Sequence, residues 1–440
     1  MARVPRIRPS DVKPHWKVLC KTIGERRAGS KNEYESALYI LERFQRAGLA
    51  ESRLEAFPCR TLVEAEARVE VRVGKRWRKV DASVLVGSPS TRPAGRPVER
   101  ELVWMEFPEQ KAALRRGALK GKALLAFGPL SSDTDFYRRL VASAADVVLW
   151  VDDRFPVEWA KADGMIPEWK RRFGALPTAG VPYLEAYDWR TRGVNRVRAC
   201  IKSELADATS YNVVGDLPGS DPNAGLLALG CHYDTQLGNP GADDNASGTV
   251  TVLALAEAFA KQALRKPFRR SIRFIAFGAE EQLSVGSKWY AEAHRAEMRR
   301  HALMLNFDSL ASSLGHSEML VAGSPRFERW AVEGMLRGGS PARISHAVTP
   351  FADHFPFTVF GVPSLWFGRS NFPGGRWQHH GPHDTLETVS PAALCTVANA
   401  AAGLLNDAAS APKLPFERGM LPAQRATIRR MARELFDLEA

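Results

Sequence analysis

Two textures of apolar and polar positions alternate along this chain. From residue 206 onward, near-continuous apolar runs of strand length recur: LLALGCH (226–232), IRFIAFG (272–278), ALMLNF (302–307), EMLVAG (318–323) and VPSLWFG (362–368). Runs that are apolar on both faces, with helical stretches such as TVTVLALAEAFAKQAL between them, predict an α/β fold: a mostly parallel mixed sheet sandwiched by helices.

Before residue 206 the pattern differs. Residues 30–49 open with Ser30 and Glu33 at capping-box spacing, carry apolar groups at Tyr34, Ala37, Leu38, Leu41 and Phe44, and stop at Gly48, which predicts an amphipathic helix. From about residue 66 short alternating segments take over. ARVEVRV and GKRWRKVDASVLVG read as a hairpin, and GSPSTRPAGRP as a loop; LKGKALLAFGP, AADVVLWVDD and TAGVPYLEAYDW are three further strand candidates. The expected organisation is an N-terminal part of the main domain (1–65), an inserted β-rich domain (66–205), the main domain (206–410) and a C-terminal helical extension (411–440). In that extension Ile428, Met431 and Leu435 share one face, which is expected to pack on the body.

Composition excludes global disorder, with 45% apolar and 25% charged residues. The formal charge of +12 suggests a polyanion partner until it is located. Residues 1–205 hold 39 basic and 26 acidic residues, whereas 206–410 hold 16 and 19. No nucleic-acid motif or aromatic stacking platform accompanies the basic half, so neither nucleic acid nor membrane is an expected partner. The first residues, MARVPRIRPSDVKPHW, lack the apolar run of an export signal, and no stretch has the length of a membrane span. The five cysteines form no CxxC pair, so a cytoplasmic, reduced setting is expected.

The candidate chemistry sits where the main-domain strands end. In parallel sheets, ligands gather beyond the carboxyl ends of the strands. His232 and Asp234 follow the first run, and the loop GADDNASG then supplies Asp243 and Asp244; Glu280 and Glu281 follow the second run, Asp308 the third, and His379, His380, His383 and Asp384 follow the last. Imidazoles mixed with carboxylates suit zinc, cobalt or manganese better than magnesium or calcium, and the absence of thiolates argues against a structural zinc site.

HYD, GADDNASG, GAEE, FDS and HGPHDT, in that order and each after a strand, resemble the zinc aminopeptidase superfamily, which also contains glutamate carboxypeptidase, glutaminyl cyclase and the transferrin receptor. The resemblance implies the zinc exopeptidase fold, with residues 66–205 similar to the protease-associated domain that many members carry. It implies two zinc ions per chain, with Co²⁺ or Mn²⁺ as substitutes, held by His232, Asp244, Glu281, Asp308 and His380, Asp244 bridging. It also implies Glu280 as the general base for a zinc-activated water and Asp234 as the carboxylate that orients the His232 imidazole. Asp384 is expected to do the same near His380, Asp353 and His354 to support a loop, and His316, His379 and His383 to be polar surface.

The implied activity is hydrolysis of the N-terminal bond of a peptide or small amide. A carboxypeptidase, dipeptidase or amidohydrolase on the same site is the alternative, with Arg369 and Arg376 available to clamp a substrate carboxylate. A receptor-like scaffold without metals is disfavoured, because no ligand is substituted. The sequence leaves the oligomeric state open.

Overall fold

The computed structural model describes residues 4, 6–93, 95–105, 113–128, 133–154, 156–371 and 376–439. Helices α1 (Pro9–Lys17) and α2 (Lys31–Ala47) lead into strand β1 (Ala50–Val73), followed by β2 (Arg76–Val80), β3 (Ser83–Val84), β4 (Val98–Met105) and β5 (Lys122–Phe127). Helix α3 (Thr134–Ala142), β6 (Val147–Val151), α4 (Pro167–Phe173), β7 (Thr178–Gly180) and α5 (Tyr183–Thr191) precede β8 (Arg196–Leu217). Strands and helices then alternate through β9 (Leu226–His232), α6 (Ala246–Ala263), β10 (Ser271–Phe277), α7 (Val285–Ala293) and β11 (His301–Phe307). The chain continues with β12 (His316–Ala322), α8 (Pro325–Arg337), β13 (Arg343–Ser345), α9 (His354–Val359), β14 (Ser364–Ser370), α10 (Pro391–Ser410) and α11 (Pro422–Met431).

Two long strands tie everything together. β1 and β8 run antiparallel from the pair Ala50–Asp216 to the pair Val71–Val197. At one end β8 pairs with β10, and at the other with β4, so a single sheet runs in the order β13-β12-β14-β11-β9-β10-β8-β4-β5-β6-β7-β3. Positions 66 and 205, expected as the limits of the insert, both lie inside this ribbon, where Glu66 faces Lys202 and Leu62 faces Leu205. Each half keeps its own core. One is built on α2, α6 and α10 against β9, β10 and β11, the other on the β4–β7 strands with Trp189 of α5.

Within the main half, β10, β9, β11 and β14 are mutually parallel, as their two-sided apolar character requires. The insert is not purely β-rich: its parallel strands β4–β7 are interleaved with α3, α4 and α5. The segment TAGVPYLEAYDW, expected as a strand, divides into β7 and the helix α5. Pro182 sits at the helix N-cap, and Ala186 and Trp189 bury one helical face. In α2 the capping holds, with Ser30 accepting from the Glu33 N–H, but the buried face is Glu33, Ser36, Ala37, Ile40 and Phe44, while Tyr34 and Leu38 are exposed. The polar Glu33 turns the helix inward because its carboxylate accepts from Gly29 N–H (2.6 Å), Ser210 Oγ (2.7 Å) and Ala279 N–H (3.1 Å).

The C-terminal extension packs on both halves. Ile428, Leu435 and Phe436 are buried with Phe355 of the main half and with Tyr137 and Trp169 of the insert. Among the described residues no helix is long and apolar enough to cross a membrane.

A pH-sensitive pairing lies at the end of α7. His294 Nε2 is 3.0 Å from Glu55 Oε2, and its Nδ1 is 3.6 Å from Glu297 Oε2. The carboxylates of Glu297 and Glu55 outweigh the burial and raise the imidazole pKa to about 9. A raised folded-state pKa stabilises fully below the ordinary imidazole value of about 6.5 and is lost as pH rises through about 9. The variant His294→Gln should therefore be less stable by roughly 1–2 kcal/mol at mildly acidic pH, with the gap closing at alkaline pH in thermal unfolding.

Candidate metal centre

Because β9, β10 and β11 are parallel neighbours, their carboxyl ends form one rim. His232 is the last residue of β9, Asp308 directly follows β11, and Glu280 and Glu281 lie in a tight turn just after β10. Ala279, with φ of 51°, begins that turn and directs the two glutamates to different sides. Asp243 and Asp244 arrive with the N-terminus of α6, where Asn245 caps the helix by accepting from the Gly248 N–H at 2.7 Å. The positive end of the helix dipole favours carboxylates at this position.

The five residues expected as ligands come together. His232 Nε2 lies 3.3 Å from Asp244 Oδ1 and 3.9 Å from Asp308 Oδ1. His380 Nε2 lies 3.1 Å from Glu281 Oε2 and 3.7 Å from Asp244 Oδ2. Asp244 thus presents one oxygen to each histidine. His232, Asp244 and Glu281 form one group compact enough to hold a cation, and Asp244, His379 and His380 form another. Glu280 Oε2 is 3.8 Å from His232 Nε2, while its Oε1 accepts from the Ser284 hydroxyl at 3.0 Å.

The surrounding contacts only partly match expectation. Asp234 Oδ1 is 3.4 Å from His232 Nδ1, and its two oxygens accept the N–H groups of Glu280 (3.0 Å) and Glu281 (3.1 Å). Asp384 does not orient His380. It accepts from the Asp243 and Asp244 N–H groups at 2.7 and 2.9 Å, because the loop returns it beneath the α6 N-terminus. Asp353 and His354 are both buried, the latter at the N-terminus of α9. Arg369 is not a clamp: its guanidinium donates to the carbonyls of Ser312 and Gly315. Arg376 reaches the rim, 3.1 Å from Asp244 Oδ2.

His379 is the residue that sequence reasoning misplaced. Its Nε2 is 3.1 Å from Asp244 Oδ2, and its ring stacks on His380 with centroids 3.6 Å apart. His380 has φ of 57°, and this left-handed turn is what brings two consecutive imidazoles to the same carboxylate. The His379-His380 doublet was the available signal.

Electrostatically the rim is a compressed set of acids. Burial raises the pKa of Glu280 well above the carboxylate range, helped by Asp353, Glu281 and Asp308 against His232. Glu281 is also raised by burial, and Asp243 is pushed up to about 7. Burial works against a charged His232, but Glu280, Asp234, Asp244 and Asp308 outweigh it and hold the imidazole pKa well up. A divalent cation relieves both the repulsion and the desolvation. The donor set of two imidazoles and three carboxylates fits zinc, and Glu281 Oε1 is buried at the rim without a hydrogen-bond partner.

Comparison with known proteins locates the rim within a known family model and a known fold. Residues 212–405 match the model of Peptidase family M28. Leupeptin-inactivating enzyme 1 of Streptomyces exfoliatus is 34% identical over 157 residues, 36% of this chain but only 35% of that enzyme's length. Aminopeptidase YwaD of Bacillus subtilis is 24% identical over 394 residues, covering 84% of this chain and 78% of the relative. Among solved structures, an aminopeptidase from Aneurinibacillus sp. strain AM-1 superposes with a TM-score of 0.71 at 22% identity, covering 94% of this chain and 96% of that one. A Peptidase M28 precursor from Shewanella amazonensis gives a TM-score of 0.78 at 20% identity, covering 94% and 95%. These structures share the mixed α/β fold. The segment that builds the rim is thus the part of the chain, residues 212–405, that is similar to peptidase family M28.

Proposed function

We propose that this protein is a zinc-dependent aminopeptidase that hydrolyses the N-terminal bond of peptides. The observation that carries the reading is the convergence of His232, Asp244, Glu281, Asp308 and His380 on one rim, with Glu280 beside them. His232, Asp244, Glu281, Asp308 and His380 would hold two zinc ions, for which Co²⁺ or Mn²⁺ could substitute. When bound, zinc supplies a water acidified toward neutral pH and polarises the scissile carbonyl.

The chain's own residues do the rest. Glu280 takes the proton from the attacking water and passes it to the leaving amine. Its raised pKa, caused first by burial, suits a group that must hold a proton between the two steps. Asp234 fixes the peptide N–H groups of both glutamates, so the base and the ligand keep separate directions. The acids remaining at the rim favour a cationic N-terminal amine. The inserted unit, which approaches the rim, restricts access to peptides.

The test uses the purified chain, aminoacyl-anilides and their N-acetylated counterparts, with and without a chelator. Turnover should require a free amine, disappear with the chelator and return with zinc. Equal hydrolysis of blocked and free substrates would overturn the aminopeptidase reading.

A further inference from the structure

The inserted unit reaches into the metal centre with one segment, residues 157–164. This segment is anchored at its base. The Ala160 N–H donates to Asp81 Oδ2 at 2.8 Å, the Val86 N–H to the Asp163 carbonyl at 2.9 Å, and the Met165 N–H to the Val86 carbonyl at 2.9 Å. Gly180 of β7 lies directly beneath it, where a Cβ would come within 2.7 Å of the Lys161 carbonyl. Val157, Ala160 and Ala162 are buried. The strip is thus pinned at Asp81, Val86 and β7.

Its far side meets the loop that carries His380. The Ala162 N–H donates to the His380 carbonyl at 2.9 Å, on the residue whose backbone is left-handed. Trp159 stands edge-on to His383 with centroids 4.4 Å apart and to Trp377 at 5.7 Å. Gly381, next to His380, lies against the indole: a Cβ there would come within 2.4 Å of Trp159 Nε1. At Gly164 the same segment passes the Glu281 carbonyl, 3.4 Å from where a Cβ would stand. One strip of the insert therefore borders the backbone of two expected ligands, Glu281 and His380.

We propose that residues 157–164 are a positioning arm that makes the inserted unit part of the zinc site: Ala162 and Trp159 hold the His380 backbone so that its imidazole stays beside Glu281 and Asp244. The physical reason is that a non-glycine residue at φ of 57° needs outside support, which the hydrogen bond to its carbonyl and the indole on Gly381 provide. The arm touches no metal itself. It acts through His380, as outer partners commonly do, and losing such a partner costs about 10–100-fold in metal affinity. This inference rests on the assignment of His380 as a ligand.

The experiment measures zinc affinity of the full chain by competition with a chelator of known affinity, independently of turnover. Trp159→Ala, which removes the packing, and Ala162→Pro, which removes the N–H donor, should each weaken binding by about 10–100-fold. Trp159→Phe should stay near wild type, since Trp159 Nε1 has no hydrogen-bond partner to lose. Val197→Ala loosens the insert's own core away from the arm and should leave zinc affinity unchanged. Wild-type affinity in both Trp159→Ala and Ala162→Pro, or equal weakening by Val197→Ala, would overturn the arm. His380→Ala separates the two readings. Lost affinity there with none lost in either Trp159→Ala or Ala162→Pro defeats the arm alone, whereas wild-type affinity in His380→Ala defeats the ligand assignment and the arm with it.

Discussion

Glu280→Gln should lower kcat by about 10²–10⁴-fold while the protein keeps its zinc. That loss corresponds to roughly 3–5 kcal/mol of transition-state stabilisation. The argument rests on the separation of two adjacent glutamates. Glu281 turns to His380 at 3.1 Å, whereas Glu280 faces His232 at 3.8 Å and is steadied by the Ser284 hydroxyl at 3.0 Å. Glutamine has the same shape and still accepts from Ser284, but it cannot take a proton from water. Because Glu280 is not among the expected ligands, metal content and fold should match wild type. KM for an aminoacyl-anilide should change little, since binding does not use the proton. Turnover within tenfold of wild type, with zinc retained, would defeat the general-base assignment.

Much of the rim was legible because the residues expected as ligands come at or after apolar runs of strand length. His232 ends β9, and Asp308 follows β11, whose observed limits differ by one residue from the apolar run. Parallel pairing then forces those ends onto one rim, so the order of motifs along the chain carried the geometry. The β1–β8 ribbon was not legible in the same way. Its residues are largely half-exposed and interrupted by charges such as Arg53, Glu55 and Arg60, so no continuous apolar run marks twenty-four residues of β1. What stabilises it is register, with Leu54 opposite Val213 and Phe57 opposite Ser210, and register is a tertiary property.

The loop after β14 was the other blind spot. His379 and His380 differ by one position, and helix or strand periodicity says nothing about which faces the acids. The left-handed backbone at His380 sends both there. Asp384 lies four residues past His380, near enough in sequence to suggest an imidazole partner, yet the loop folds it under Asp243 and Asp244. The whole-chain charge of +12 suggested a polyanion partner only until the excess was located outside residues 206–410, the part that builds the rim.

Asp234→Asn should have a different signature from Glu280→Gln: zinc affinity falls by about 10–100-fold and turnover falls with it. Asp234 is fully buried, and its two oxygens take the N–H groups of consecutive residues, Glu280 at 3.0 Å and Glu281 at 3.1 Å. A third N–H in the same turn, that of Ala279, goes to Glu33 of α2 at 3.1 Å. Two carboxylates from distant parts of the chain therefore hold three successive peptide groups, which sets where the base and the ligand point. Asparagine keeps one acceptor and turns an NH₂ toward the other N–H, and two buried donors facing each other cost about 1–3 kcal/mol. The turn must then shift, and Glu281 loses its aim at His380. Excess zinc should restore part of the turnover in Asp234→Asn and none in Glu280→Gln, because only the first defect lies in metal binding. Chelator competition and zinc-saturated kcat measure the two quantities separately. An Asp234→Asn protein with wild-type zinc affinity would mean that the turn holds its shape without this carboxylate.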